Sequence, residues 1–337
     1  MIRVTTPLIV MLVLIADSFG QGAKPLPSAV DLRPDFTKYG LVPKNQGRRD
    51  TCSLFAITGL VEFELARQHP EKVSQLSQEY LVWAANQATG DKNEQAMFYD
   101  ATQGLQMLGI CSEVLMPYKN NWDPQRKPSD EAIAEAKARH QWNVQWIKRW
   151  NTKTGLSENQ LQATKRQLAE KHPVAVGLRW PKEQKLNAEH VLTMPPPGGV
   201  FDGHSILFVG YRDDAKEPGG GVFLFRNSNG PKWAMQGYAW MPYAYVREYA
   251  NDAVALHDLS PEQARQKTML IEGEAMRIVE SKQCRAFPQR DGSLGSQTVE
   301  RQQSTLLPIS EGQCVGTGMG SPSRGGISHR PAGDLCP

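Results

Sequence analysis

Within Asn45-Gln46-Gly47-Arg48-Arg49-Asp50-Thr51-Cys52, a glutamine stands six residues before a cysteine, and the cysteine opens an apolar run. Ile57, Leu60, Val61, Phe63 and Leu65 follow at mostly helical spacing. Asp50 or Thr51 can cap that helix, because both side chains accept hydrogen bonds from the free amides of a first turn. A cysteine placed there meets unpaired N–H groups and the positive end of the helix dipole. Both favour the thiolate, the nucleophilic form. Such a nucleophile needs a base and a group that orients the base. Residues 203–211 read as a buried strand with His204 at its start, and residues 223–230 as a second that carries Asn227. His190, in a loop before Pro195-Pro196-Pro197, is the rival base, while His69, His140, His172, His257 and His329 read as ordinary surface or satisfied residues. Taken alone, Cys52 also fits a small buried core residue. Gln46 and Asn227 taken alone also fit turn chemistry, since Asn-Gln-Gly and Asn-Gly both favour turns.

The order Gln46, Cys52, His204, Asn227 resembles that of the papain-like cysteine peptidases. Leu26-Pro27-Ser28-Ala29-Val30-Asp31-Leu32-Arg33 is similar to the start of that family's mature domain, and Leu76-Ser77-Gln78-Glu79-Tyr80-Leu81-Val82 to its second helix. Gly109-Ile110-Cys111-Ser112-Glu113, Met116-Pro117-Tyr118 and Gly237-Tyr238-Ala239-Trp240-Met241-Pro242-Tyr243 resemble a bacterial branch. The similarity spans residues 26–246. It implies an α+β fold of two lobes, one helical and one a β-barrel, with the active site in the cleft between them. Cys52 would come from one wall, and His204 and Asn227 from the other. It also implies the roles: Cys52 attacks a peptide carbonyl, His204 shares and returns the proton, and Asn227 orients the ring. The Gln46 side chain and the Cys52 amide would hold the oxyanion. Protein or peptide substrates follow, hydrolysed without cofactor or metal. Two other readings keep the fold: a binding or scaffold protein without turnover, and a thiol acyltransferase.

Five positions depart from the family pattern. Ser53 follows the nucleophile where tryptophan is usual. Asn229 stands where a tryptophan shields the Asn–His contact, although Trp233 matches the family's next tryptophan. Arg49 takes the place of a disulfide cysteine. Phe98-Tyr99 occupy the region of a Gly-Gly pair that binds substrate backbone.

The rest of the chain sets the frame. Its 337 residues, 40% hydrophobic and 22% charged, suit one or two globular domains. Lys and Arg are scattered among acids, with a net charge of +3 and no basic block, which argues against a nucleic-acid partner. Residues 1–20 read as a signal peptide: Arg3, an apolar core from Pro7 to Ala16, then small residues Ser18 and Gly20 before a cut ahead of Gln21. That core is short for a bilayer span, so the expectation is export, secreted or periplasmic, with no membrane anchor after cleavage. Residues 21–256 form the peptidase-like domain. Helices are expected at residues 51–68, 77–86, 100–108 and 129–141, and from the capping box at Ser157 toward Glu170. From Pro173 onward the pattern is β-type, beginning with Val174-Ala175-Val176-Gly177-Leu178. Residues 257–337 form an extension of unassigned role. Its last 26 residues hold seven glycines and three prolines, a disorder-like composition. Cys111, Cys284, Cys314 and Cys336 could pair in an oxidising compartment in three ways that the sequence leaves open. No Cys/His spacing suggests zinc.

Overall fold

The computed structural model describes residues 25–139 and 142–259. The expected signal segment and nearly all of the C-terminal extension, with three of the four candidate disulfide cysteines, lie outside the described residues.

In chain order the elements are β1 (Ala29–Asp31), α1 (Arg33–Lys38), α2 (Cys52–Gln68), α3 (Gln78–Thr89), α4 (Phe98–Leu108), α5 (Asp130–Ala136), β2 (Trp142–Lys148), α6 (Glu158–Ala169), β3 (Val174–Pro181), β4 (Val200–Asp213), β5 (Gly221–Arg226), β6 (Tyr238–Pro242), α7 (Tyr243–Tyr249) and β7 (Ala250–Asp258). Most helices precede most strands, as the expected α+β fold requires, although β1 opens the chain and α6 and α7 lie among the strands.

α2 is the axis of the fold. Almost every residue from Cys52 to Phe63 is buried, because the helix packs on β3, β4 and β7 on one side and on α3 and α4 on the other. A helix covered all round is apolar all round, which is why the run after Cys52 lacks a polar stripe. Thr51 is its N-cap residue but makes no side-chain cap. Its hydroxyl instead bonds the Tyr118 hydroxyl at 2.7 Å, and Asp50 accepts from the Gln95 amide at 2.7 Å. Tertiary partners have taken both side chains expected to cap. Ser77, Ser129 and Ser157 cap their helices, the last as the expected capping box. α4 starts at Phe98, two residues early, because Asp100 reaches back to the Met97 amide at 2.9 Å. α5 stops at Ala136 and tightens into a 3-10 turn over Lys137–Arg139.

The sheet runs β2-β7-β3-β4-β5-β6, antiparallel throughout, with β1 added on β4. It is open, so the lobe expected as a barrel is an unclosed sheet among the described residues. β3 is almost wholly buried because α2, α6 and α7 all pack on it. A strand covered on both faces reads as a continuous apolar run. Register shifts on both edges of β3 meet at Leu178, the residue paired with His204. Such bulges re-aim side chains beside them.

Candidate active site

Cys52 opens α2 from the helical side, and His204 comes from β4. Asn227 follows the last residue of β5. Three backbone contacts join the segment after β5 to the loop before α2. The Gln46 N–H donates to the Ser228 carbonyl at 2.9 Å, the Gly230 N–H donates to the Lys44 carbonyl at 3.0 Å, and Asn45 bridges Asn229. The four predicted residues are thereby brought to one place, all buried.

His204 Nε2 lies 2.8 Å from Asn227 Oδ1. The same oxygen accepts the Ser228 N–H at 2.8 Å, and the Asn227 N–H donates to the Gly237 carbonyl at 2.9 Å. The side-chain oxygen and the backbone of Asn227 are therefore both fixed, while its Nδ2 has no partner within the protein. With Nε2 engaged, Nδ1 is the nitrogen left for the thiol, and it has no hydrogen-bond partner within the protein. Cys52 Sγ lies 3.9 Å from the carbonyl of Gly203, the residue before the ring. Gly203 has φ +115°, a conformation that a side chain would strain.

Gln46 Oε1 accepts from the Ser228 hydroxyl. Its Nε2 donates to the Arg49 carbonyl at 2.7 Å, which leaves one amide hydrogen for a ligand. Arg49 holds the loop between them. Its guanidinium bonds Glu79 at 2.6 Å, Glu94 at 2.7 Å and the Lys119 carbonyl at 2.8 Å. It also stacks 4.5 Å over the Tyr118 ring, whose hydroxyl donates to the Gln46 carbonyl at 2.9 Å. An ion-pair cluster thus stands where a disulfide was expected.

His190, the rival base, sits instead in the turn after Asn187 with φ +58°, and its carbonyl accepts from Trp240. Trp180 was missed. Its buried ring packs edge-on, at 4.5 Å, against His204, which is 1% exposed. It covers the ring of His204, and on the sequence it is one more apolar residue in a strand. Trp233 packs on Phe225, 5.8 Å away. Ser53 turns its hydroxyl to the Ala96 carbonyl. Of the pair at the start of α4, Phe98 is buried and Tyr99 exposed. Cys111 forms no disulfide. Burial, and after it the charge of Glu135, pushes its thiol up to about 12, so it is inert near neutral pH.

Asp252 packs against Gly177, where a Cβ would come within 2.2 Å of its Oδ1. Burial pushes its carboxyl up to about 7, against the opposing pull of the Gly177 N–H and the Lys148 charge. A raised carboxyl favours the protonated folded state. That contribution is complete below the ordinary value of 3.8 and is lost as pH rises through about 7. Asp252→Asn should therefore match the wild type in thermal unfolding at pH 4 and gain over it progressively toward pH 8. A difference that stays constant across this range would refute the assignment.

The family model described as papain family cysteine protease matches residues 26–255. The chain belongs to this family. An uncharacterized peptidase C1-like protein of Acanthamoeba polyphaga mimivirus is 25% identical over 236 residues, covering 66% of this chain and 72% of that one. Xylellain, a cysteine protease from Xylella fastidiosa, is similar in structure with a TM-score of 0.58 and 25% identity, over 70% of this chain and 88% of that one. Digestive procathepsin L 3 of the Tenebrio molitor larval midgut shares the fold at a TM-score of 0.51 and 20% identity, over 71% and 72%. Within this papain-family frame, the helical elements and the sheet take the two sides expected of them.

Proposed function

We propose that this papain-family chain is an exported cysteine endopeptidase, with Cys52 as nucleophile, His204 as acid and base, Asn227 as the group that orients the ring, and Gln46 with the Cys52 amide as oxyanion donors. The observation that carries the reading is the buried 2.8 Å contact between His204 Nε2 and Asn227 Oδ1. It commits one ring nitrogen and leaves the other for the thiol.

In the reaction, the Cys52 thiolate attacks the scissile carbonyl while its proton resides on His204. The tetrahedral oxyanion receives the remaining Gln46 amide hydrogen and the Cys52 N–H, and loss of one such donor costs roughly 10²–10³ in rate. Collapse breaks the C–N bond as the imidazolium gives its proton to the leaving amine. Water, deprotonated by the same ring, then releases the acyl group and restores the thiol pair. The apolar segment at residues 7–16 supports export.

The test is mass spectrometry of the mature protein after treatment with a peptidyl epoxide, followed by peptide cleavage assays. Labelling confined to Cys52 together with hydrolysed peptide is expected. Absence of labelling would favour a scaffold, and acyl transfer to added amine without hydrolysis would favour a transferase. His204→Ala should lower kcat/KM by roughly 10²–10⁴, the usual weight of a general base. Asn227→Ala should cost less, since it orients the ring without moving the proton. Equal losses in folded variants would contradict these roles.

A further inference from the structure

Between α2 and the sheet, a partly open pocket with about 20 Å³ of space is lined by Lys44, Glu62, Gly59 and Arg226 as well as Cys52. A polar pocket of that size holds a single water-sized species. The charges around it do not cancel. Glu62 Oε1 accepts from Lys44 Nζ at 2.8 Å and from the Leu76 N–H at 2.8 Å, so Lys44 and Glu62 already neutralise each other. Arg226, 7% exposed, is the second cation. Its Nη2 donates to the Val42 carbonyl, and its guanidinium lies 5.0 Å from the Phe36 ring. Neither partner carries a full negative charge. The carboxylate whose field reaches it is Glu62, which Lys44 holds. Arg226 Nη1 has no hydrogen-bond partner within the protein. A Cβ on Gly59, in the pocket wall, would sit 3.7 Å from that nitrogen.

A buried cation without a counter-charge is strongly unfavourable, and a bound anion removes the penalty. We propose that the pocket behind Cys52 is a site for one monovalent inorganic anion of halide size, bound by Arg226 Nη1, the one cation among the described residues there that no carboxylate pairs. Sulfate and phosphate exceed the space. Because Cys52 lines the same pocket, occupancy places negative charge behind the nucleophile and opposes its thiolate. The site does not depend on whether the chain cleaves peptides.

The experiment compares chloride or bromide with gluconate at fixed ionic strength and pH, on the full mature chain. Halide at tenfold excess over its Kd should raise Tm by about 3–5 °C and slow alkylation of Cys52 by iodoacetamide. Arg226→Met should abolish both responses. Glu62→Gln removes the pocket's negative charge and should enlarge the Tm response, so it carries the test if Arg226→Met does not fold. Bromide-soaked crystals should show an anomalous peak beside Arg226 Nη1. A Tm indifferent to the choice of halide or gluconate, or bromide confined to the surface, overturns the proposal.

Discussion

Cys52→Ala should remove peptide cleavage, by up to roughly 10⁶-fold, the scale at which a hydrolase loses its nucleophile. The reason is local. The sulfur sits at the start of α2, 3.9 Å from the carbonyl that precedes His204, and no second cysteine lies close among the described residues: Cys111 is buried in a separate small cluster with Tyr80 and Met116. Stability should change by only about 1 kcal/mol, because one buried sulfur leaves a small cavity. The measurements are kcat/KM on a fluorogenic peptide and thermal unfolding of the same preparation. Cleavage that survives undiminished sinks the assignment of Cys52.

The second large effect falls on stability. Arg49 and Glu79 are each 3% exposed and joined at 2.6 Å. Arg49→Met strands Glu79 in the interior, with Arg126 at 3.9 Å as a remaining cation. Removing one member of such a pair costs about 3–5 kcal/mol, a fall in Tm on the order of 10 °C for a domain of this size. Activity should fall too, since Arg49 braces Tyr118 and the Gln46 loop. The double variant Arg49→Met/Glu79→Gln should recover most of the lost stability, because the deeply buried carboxylate is then gone and only the more exposed Glu94 and Arg126 lose a partner. Denaturant titration of the three proteins decides the matter. A single-variant loss under about 1 kcal/mol would show that the cluster is not a structural brace.

What the sequence revealed follows from what kind of signal each residue leaves. Gln46, Cys52, His204 and Asn227 have side chains whose chemistry is uncommon in combination, so type and order sufficed to bring them forward. Ser157 was legible because capping is a local event within four residues. Asp50 and Thr51 were misread as caps because Gln95 and Tyr118, which claim them, lie more than 40 positions away. Arg49 displayed a missing disulfide but not its replacement, for the same reason of distance. Trp180 was hidden by its strand, where shielding a histidine and filling a core look identical. The start of β4 at Val200 and the whole of β2 passed unnoticed because polar residues interrupt them.

The place of β7 in the sheet has a consequence for how the molecule is made. This strand is the last described element, yet it lies in the interior, between β2 and β3. Until residues 250–258 leave the ribosome, β2 has no partner and β3 keeps one raw edge. β1 waits as well, because its partner β4 arrives some 180 residues later. Pairings of such long range are slow to form, and unpaired edges invite association with other chains. The sheet therefore assembles only after this region has been synthesised, and until then its open edges need protection from other chains.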